Sequence, residues 1–140
     1  MKVVIDASVA AKWFNNEEYS GEAAALKQAY VDGIVELAAP IHLVYEVGNS
    51  IWKNRQLGIK DASRAVSLLL ELGLNLVEPS ADDLRRVMEI ARERNITFYD
   101  ALYIQAAEKY GVKLITADSE QIKKSEGIID AVHIKDFSME

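Results

Sequence analysis

Val3-Val4-Ile5-Asp6-Ala7-Ser8, near the start of the chain, contains the clearest structural pattern in the sequence. Its first three residues form a continuous β-branched run that is too short for a helix, which predicts a parallel strand buried on both faces. Asp6 then lies at the carboxyl end of that strand, the edge at which open α/β sheets bind ligands. The alternative is that Asp6 only caps the following helix, because Asp is a preferred N-cap residue.

The composition predicts one domain, spanning residues 1–140, because the chain is short and half of its residues are hydrophobic. It contains no cysteine, so a metal ion would have to be held by oxygen ligands or by His42 and His133. Sixteen basic and twenty-two acidic residues give a net charge of −6, which argues against broad electrostatic binding to nucleic acid. If the substrate is a polyanion, cations must mediate its binding.

The first residues predict neither a signal peptide nor a membrane anchor. Met1-Lys2-Val3 reaches Asp6 before an apolar signal core could form, and no later apolar run approaches membrane-spanning length. We therefore expect a cytoplasmic protein without a membrane partner.

Segments with strand and helix patterns alternate along the chain, which predicts crossover connections and a parallel sheet with helices on both faces, a three-layer α/β sandwich. After the first strand, the predicted strands are Ile34–Ala38, Leu74–Val77, Val112–Thr116 and Ala131–Ile134. The first predicted helices are Ser8–Asn15, one capped by Ser20 that runs from Gly21 to about Tyr30, one from Pro40 that is closed by Gly58, and one from Asp61 to Gly73. The later ones are a helix that Ser80 and Asp83 begin with a capping box and that ends near Arg94, the apolar and therefore buried helix Tyr99–Tyr110, and Ser119–Lys124.

Four acidic residues can be assigned to the carboxyl edge of this sheet. Asp6 and Asp118 follow strands, Asp100 begins the buried helix, and Glu46 lies on the polar side of the helix that starts at Pro40. Each has a simpler explanation. Asp100 could form a capping box with Thr97, Asp118 could cap a short helix, and Glu46 could face water.

Carboxylates at one edge require compensation. Two of them about 5 Å apart at an effective dielectric near 20 repel by roughly 3 kcal/mol, so the fold needs a cation or a retained proton. Oxygen ligands suit Mg²⁺ or Mn²⁺, and such ions stabilise charge and activate water in phosphodiester hydrolysis.

Four motifs resemble, in order and spacing, those of PIN-domain ribonucleases, and the compact length is most similar to VapC-type toxins of toxin–antitoxin pairs. They are Val4-Ile5-Asp6-Ala7-Ser8, Glu46-Val47-Gly48-Asn49, Tyr99-Asp100-Ala101-Leu102-Tyr103 and Thr116-Ala117-Asp118. The resemblance implies strand order 3-2-1-4-5 and a Mg²⁺- or Mn²⁺-dependent endoribonuclease acting on single-stranded or structured RNA. It also implies that Asp6, Glu46, Asp100 and Asp118 are catalytic and bind metal, and that Ser8, Asn49 and Thr116 are supporting polar groups.

Apolar side chains indicate two protein contacts. Trp13, Phe14 and Trp52 are expected to line a groove beside the acids that binds an inhibitory antitoxin segment. A leucine-rich helix, with Leu68, Leu69, Leu70 and Leu72, indicates a homodimer, as the resemblance also implies.

Two other functions fit the predicted fold, a catalytically idle PIN-like interaction module and a signalling receiver domain. A receiver requires a phosphate-accepting Asp at the end of the third strand, where this chain has Val77-Glu78-Pro79.

Overall fold

The strands form one parallel sheet in the order β3-β2-β1-β4-β5, in a computed structural model that describes residues 1–139. Their bounds are β1 Lys2–Ile5, β2 Glu36–Pro40, β3 Asn75–Val77, β4 Lys113–Thr116 and β5 Ala131–His133. The predicted α/β class and the order 3-2-1-4-5 are confirmed. The receiver alternative is wrong, because doubly wound sheets of the receiver type have the order 2-1-3-4-5.

Helices connect the strands. The α-helices are α1 Ala7–Ala10, α2 Ser20–Val31, α3 Leu43–Lys53, α4 Ile59–Glu71, α5 Ala81–Arg94, α6 Phe98–Tyr110 and α7 Ser119–Ser125, and short 3₁₀ turns lie at Ala11–Trp13 and Ile134–Asp136. Within residues 1–139, none of these helices is long and apolar enough to cross a membrane.

β1 lies at the centre of the sheet and is covered on both faces. Val3, Val4 and Ile5 are at most 1% exposed, and successive side chains of a strand point to opposite faces. α6 packs against β1, β2 and β4, and every residue from Ala101 to Ala107 in it is buried. The buried central strand and the buried helix are therefore both as the sequence predicted.

The second strand begins two residues later than predicted, at Glu36 instead of Ile34, because Ile34 belongs to the turn that caps the C-terminus of α2. Gly33 has φ +77°, and the amides of Gly33 and Ile34 donate to the carbonyls of Tyr30 and Ala29 at 3.0 and 2.9 Å. This is the Schellman arrangement that closes a helix.

Pro40 ends β2 and does not start a helix. It pairs with Val77 of β3, a position at the end of the strand where its missing N–H is tolerated. The next amide, of Ile41, donates to the Val77 carbonyl at 3.0 Å, and α3 begins only at Leu43.

Four helix boundaries were also wrong. α3 stops at Lys53 because Asn54 is extended, and Gly58 precedes α4 as its N-cap, so that Asp61 lies in the first turn. The predicted helix Ser8–Asn15 is a single α-turn followed by a 3₁₀ turn. Ser20 is the first residue of α2 and not its cap, and its hydroxyl accepts the Glu17 amide at 2.9 Å.

Two predicted helix starts are confirmed. Ser80 and Asp83 form the reciprocal capping box of α5, and the Thr97 hydroxyl accepts the Asp100 amide at 3.1 Å at the start of α6. These caps fix where α6 begins, and hence where Asp100 lies.

Candidate active site

The fold brings all four predicted acids to the carboxyl edge of the sheet. Asp6 follows β1 and Asp118 lies two residues after β4, and these strands are neighbours because Ile5 pairs with Ile115. Glu46 is in the first turn of α3, and Asp100 is in the first turn of α6. Their charges interact, since Asp118 acts on both Asp6 and Asp100, and Glu46 acts on Asp100.

Asp6 is the most enclosed of the four, at 6% exposure. Its Oδ1 accepts hydrogen bonds from the Ser8 amide at 3.1 Å and the Ser8 hydroxyl at 2.5 Å. Its Oδ2 accepts one from the Thr116 hydroxyl at 2.5 Å. The hydrogen bond from the Ser8 amide also makes Asp6 the N-cap of α1. Asp6 therefore caps a helix and belongs to the acid cluster through the same side-chain position.

Ser8 and Thr116 also fix the residues leading to Asp118. Each hydroxyl donates a hydrogen bond to the Asp6 carboxylate and accepts one from a backbone amide. Ser8 Oγ accepts from Ala117 N at 2.8 Å, and Thr116 Oγ1 accepts from Asp118 N at 3.1 Å. Both side chains therefore orient an acid, as expected for supporting polar groups.

Glu46 is held by two residues that the sequence did not identify as part of the site. The Tyr103 hydroxyl donates to Glu46 Oε1 at 2.6 Å, and His42 Nε2 lies 3.2 Å from the same oxygen. Two signals were available in the sequence. Tyr103 bears a hydroxyl within Ala101–Ala107, a run that is otherwise apolar except for Gln105, and such groups usually find a partner when buried. His42 precedes Glu46 by four residues, and residues at this spacing are neighbours on a helix.

The remaining predicted residues are more open. Asp100 is half-buried and Asp118 is exposed, and Asp118 Oδ1 also accepts the Glu120 amide at 2.9 Å as the cap of α7. Asn49 is exposed and lines the same cleft as Glu46.

Burial and repulsion perturb the acids differently. Burial raises the pKa of Asp6 from 3.8 to about 6, although the hydrogen bonds from Ser8 and Thr116 act in the opposite direction. Burial also raises the pKa of Asp100, with contributions from the charges of Glu46 and Asp118. Burial alone would raise the pKa of Glu46, but His42 and Tyr103 outweigh it and lower that pKa.

The acids share an edge without enclosing an ion by themselves. Among residues 1–139, no group of three or more Asp, Glu or His side chains is arranged closely enough to hold a metal ion. Each carboxylate offers the hard oxygen atoms that Mg²⁺ and Mn²⁺ prefer. Mg²⁺ commonly keeps several water ligands and binds through one or two carboxylates. The donor set therefore fits a hydrated divalent ion.

The three aromatic residues expected to form one groove are separated. Trp13 and Phe14 line a cavity of about 350 Å³ with Lys27, Leu68, Glu71 and Leu72. Trp52 does not contribute to that cavity. It is 60% exposed on α3, with the guanidinium of Arg55 4.9 Å from its ring centre. The single groove expected from Trp13, Phe14 and Trp52 is therefore wrong.

Comparison with known proteins identifies the class to which this fold and site belong. A family model described as PIN domain matches residues 3–127. The chain therefore belongs to the PIN-domain family. Two curated relatives come from Pyrobaculum aerophilum. Ribonuclease VapC3 is 34% identical over 134 residues, which cover 92% of this chain and 98% of the relative. Exonuclease VapC9 is 41% identical over 99 residues, which cover 68% of this chain and 72% of the relative. The resemblance to VapC-type proteins is confirmed.

Solved structures agree with this assignment. PAE2754 from Pyrobaculum aerophilum has a TM-score of 0.70 at 30% identity, covering 96% of this chain and 90% of that one. VapBC2 from Rickettsia felis, bound to a DNA fragment from its promoter, has a TM-score of 0.69 at 12% identity, covering 95% and 98%. The second similarity concerns the fold alone.

The buried charge of Asp6 predicts that Asp6→Asn stabilises the metal-free protein. The pKa of Asp6 is raised from 3.8 to about 6 in the folded protein, so ionising its carboxyl group lowers the free energy of unfolding. This loss is absent below about pH 4, where the carboxyl is protonated in both states, and complete above about pH 6. The gain should therefore reach about 1 to 3 kcal/mol above pH 6 and vanish near pH 4. Urea unfolding in chelator at both pH values measures it. Asp32→Asn, at an exposed position, is the control, and an equal gain at both pH values would contradict the prediction.

Proposed function

We propose that this protein is a ribonuclease that uses divalent metal ions, Mg²⁺ or Mn²⁺, to hydrolyse phosphodiester bonds within RNA in the cytoplasm. The observation that carries the proposal is the position of Asp6, Glu46, Asp100 and Asp118 at one edge of a PIN-type sheet. The relative named as a ribonuclease aligns with nearly the whole chain, which supports RNA as the substrate.

A bound divalent ion would supply charge stabilisation at the scissile phosphate and lower the pKa of attacking water. Asp6 and Asp100 are the proposed direct ligands. Glu46 and Asp118 complete a second position or act through water. The raised pKa values of Asp6 and Asp100 support this division, because a cation relieves the unfavourable charge that raises them.

The other side chains keep these acids in place. Ser8 and Thr116 hold the carboxylate of Asp6 through its two oxygens, and the Tyr103 hydroxyl fixes Glu46. Preorganisation of this kind lowers the cost of arranging charge when the reaction occurs. Attack by water on the phosphate leaves a 5′-phosphate and a 3′-hydroxyl end.

Whether RNA is cut internally or from an end is a separate question, since one relative is named an exonuclease. A half-open edge with an exposed Asp118 and Asn49 does not require a chain end to enter. We therefore assign internal cleavage to this site.

Circular single-stranded RNA tests this assignment, because an exonuclease cannot begin on a circle. With Mg²⁺ or Mn²⁺ the protein should linearise the circle, and chelator should stop the reaction. Asp100→Asn should slow it by at least about a hundredfold, whereas Asp61→Asn, also in the first turn of a helix, should leave it unchanged. Gel analysis of circles and linear products measures both.

Undiminished cleavage in chelator, or by Asp100→Asn, would contradict the metal nuclease. If linear RNA alone is degraded, the activity is exonucleolytic. An absence of all cleavage would favour an idle interaction module.

We further propose that an antitoxin segment docks in the cavity lined by Trp13, Phe14 and Leu68. The chain is VapC-type, and one structure of the same fold is that of VapBC2. Aromatic and leucine side chains at a concave surface suit the apolar face of a docked segment. Lys27 and Glu71 at the same cavity offer both charges to its polar residues.

Phe14→Ala should weaken inhibition by the neighbouring-gene partner by roughly tenfold or more. RNA cleavage should be unchanged, because none of the four acids lines the cavity that contains Phe14. Trp52→Ala removes an exposed aromatic residue outside the cavity and is the matched control. Inhibition constants from cleavage assays measure the effect. Equal inhibition of Phe14→Ala and native protein would exclude this cavity as the docking site.

We also propose a homodimer formed through α4. Leu69 of this helix is buried, but Leu68 and Leu70 remain 38% and 55% exposed. Ile59 is 88% exposed and precedes Leu70 by eleven residues, close to three full helical turns, so both exposed side chains lie on one side of α4. Exposed apolar patches often mark protein contacts.

Sedimentation velocity should show a dimer at micromolar concentration that Leu70→Glu converts to monomer, because the charge would be buried at the contact. Arg64→Glu places the same side chain at an exposed position of the same helix, about 120° around it from Leu70, and should remain dimeric. Native protein that sediments as a monomer would refute the dimer.

A further inference from the structure

Two tyrosines beside the acid cluster are exposed and lie outside the hydrophobic core. Tyr45 is 70% exposed and Tyr99 is 61% exposed. Together with His42, Glu46 and Asn49 they line a cleft of about 460 Å³. Single exposed aromatic residues need no explanation, but two at one cleft form a concentrated aromatic surface.

This cleft is continuous with the candidate active site. Glu46 belongs both to the cleft and to the acid cluster. Tyr99 directly precedes Asp100, a proposed metal ligand. An RNA strand that places a phosphate at the acids therefore has a neighbouring base within reach of Tyr99.

The buried side chain of His42 holds Tyr99 in place. Their rings stack with centroids 5.9 Å apart and planes 24° from parallel, and His42 Nε2 lies 3.0 Å from the Tyr99 carbonyl oxygen. His42 is itself only 8% exposed and packs against the Tyr103 ring at 4.5 Å. The buried histidine thus fixes the backbone of Tyr99, and much of the tyrosine remains open to solvent.

The chemistry of the cleft favours a neutral, flat ligand. Neither lysine nor arginine lines it, so it offers a phosphate no lysine or arginine charge, and the carboxylate of Glu46 opposes one. Nucleobases are uncharged and stack on aromatic side chains irrespective of sequence. The Asn49 amide provides both a donor and an acceptor for a base edge. A base in a duplex has its faces already covered, so this surface suits unpaired RNA.

We propose that Tyr99 and Tyr45 form a nucleobase-binding subsite in which an unpaired base next to the scissile phosphate stacks on Tyr99. This inference rests on the proposed ribonuclease activity and adds how the substrate is recognised. Stacking explains how an acidic protein holds RNA beside an acidic site, because the base supplies affinity that the repelled backbone cannot. The subsite directs cleavage to single-stranded segments.

Binding without cleavage is the first test. In the Asp100→Asn background, a single-stranded RNA carrying 2-aminopurine at the cleavage position should show quenched fluorescence on binding. Adding Tyr99→Leu should remove the quenching and weaken binding by about 5-fold to 100-fold. Tyr99→Phe should retain both, because it keeps the ring. Trp52→Leu, an exposed aromatic residue outside the cleft, should change neither.

Cleavage kinetics with an abasic substrate give an independent test. Two KM values should be equal: that of native protein for RNA lacking the flanking base, and that of Tyr99→Leu for intact RNA. Tyr99→Leu combined with the abasic RNA should raise KM no further than either does alone. In each case kcat should change much less than KM.

Unchanged affinity and KM in Tyr99→Leu, alongside normal cleavage, would overturn the subsite while leaving the ribonuclease intact. If native protein cleaves no RNA but Tyr99 still determines 2-aminopurine binding, the ribonuclease fails and the subsite stands. Failure of native protein to bind the RNA overturns both. Altered sedimentation or partner inhibition in Tyr99→Leu, with RNA affinity unchanged, would assign the tyrosines to a protein contact and overturn the proposal.

Discussion

A buried carboxylate constrains the rest of this structure. Asp6 is buried at the carboxyl end of the central strand, where an uncompensated charge would cost several kcal/mol. Hydrogen bonds from Ser8 and Thr116 meet part of that cost. Because Ser8 is in α1 and Thr116 ends β4, the same bonds fix the ends of three elements relative to one another. The position of Asp118 follows, since its amide is bonded to Thr116.

The parts of the fold set by local patterns could be predicted from the sequence, and the parts set by distant contacts could not. The buried run at Val3 and the apolar helix containing Ala101 have the expected class and place. The start of β2 was missed because a helix cap at Gly33 competes with the β-branched residues that follow it. Pro40 was misassigned because its strand position depends on β3, 35 or more residues away.

The same distinction holds for the site. Asp6, Asp100 and Asp118 were identifiable because each follows a strand or begins a helix, positions that topology brings to one edge. Glu46 was assigned to the site by the motif resemblance. Tyr103 was not identified, because its bond to Glu46 joins residues 57 apart. Trp52 shows the converse error, since its aromatic side chain suggested a groove wall but the sequence could not show that it lies outside the cavity of Trp13 and Phe14. Whether the acids bind metal and cut RNA remains a prediction.

The central strand of the sheet pairs with neighbours that are far from it in the sequence. β1 precedes its partner β4 by more than a hundred residues, and Thr116 and Asp118 come with β4. A nascent chain on the ribosome that has reached only α5 contains Asp6 and Glu46 but lacks Asp100 and the strand that positions Asp118. Non-local pairing of this kind also forms slowly. The acid cluster is thus assembled only after most of the chain has been translated, so a growing chain cannot present the complete cluster to nearby RNA.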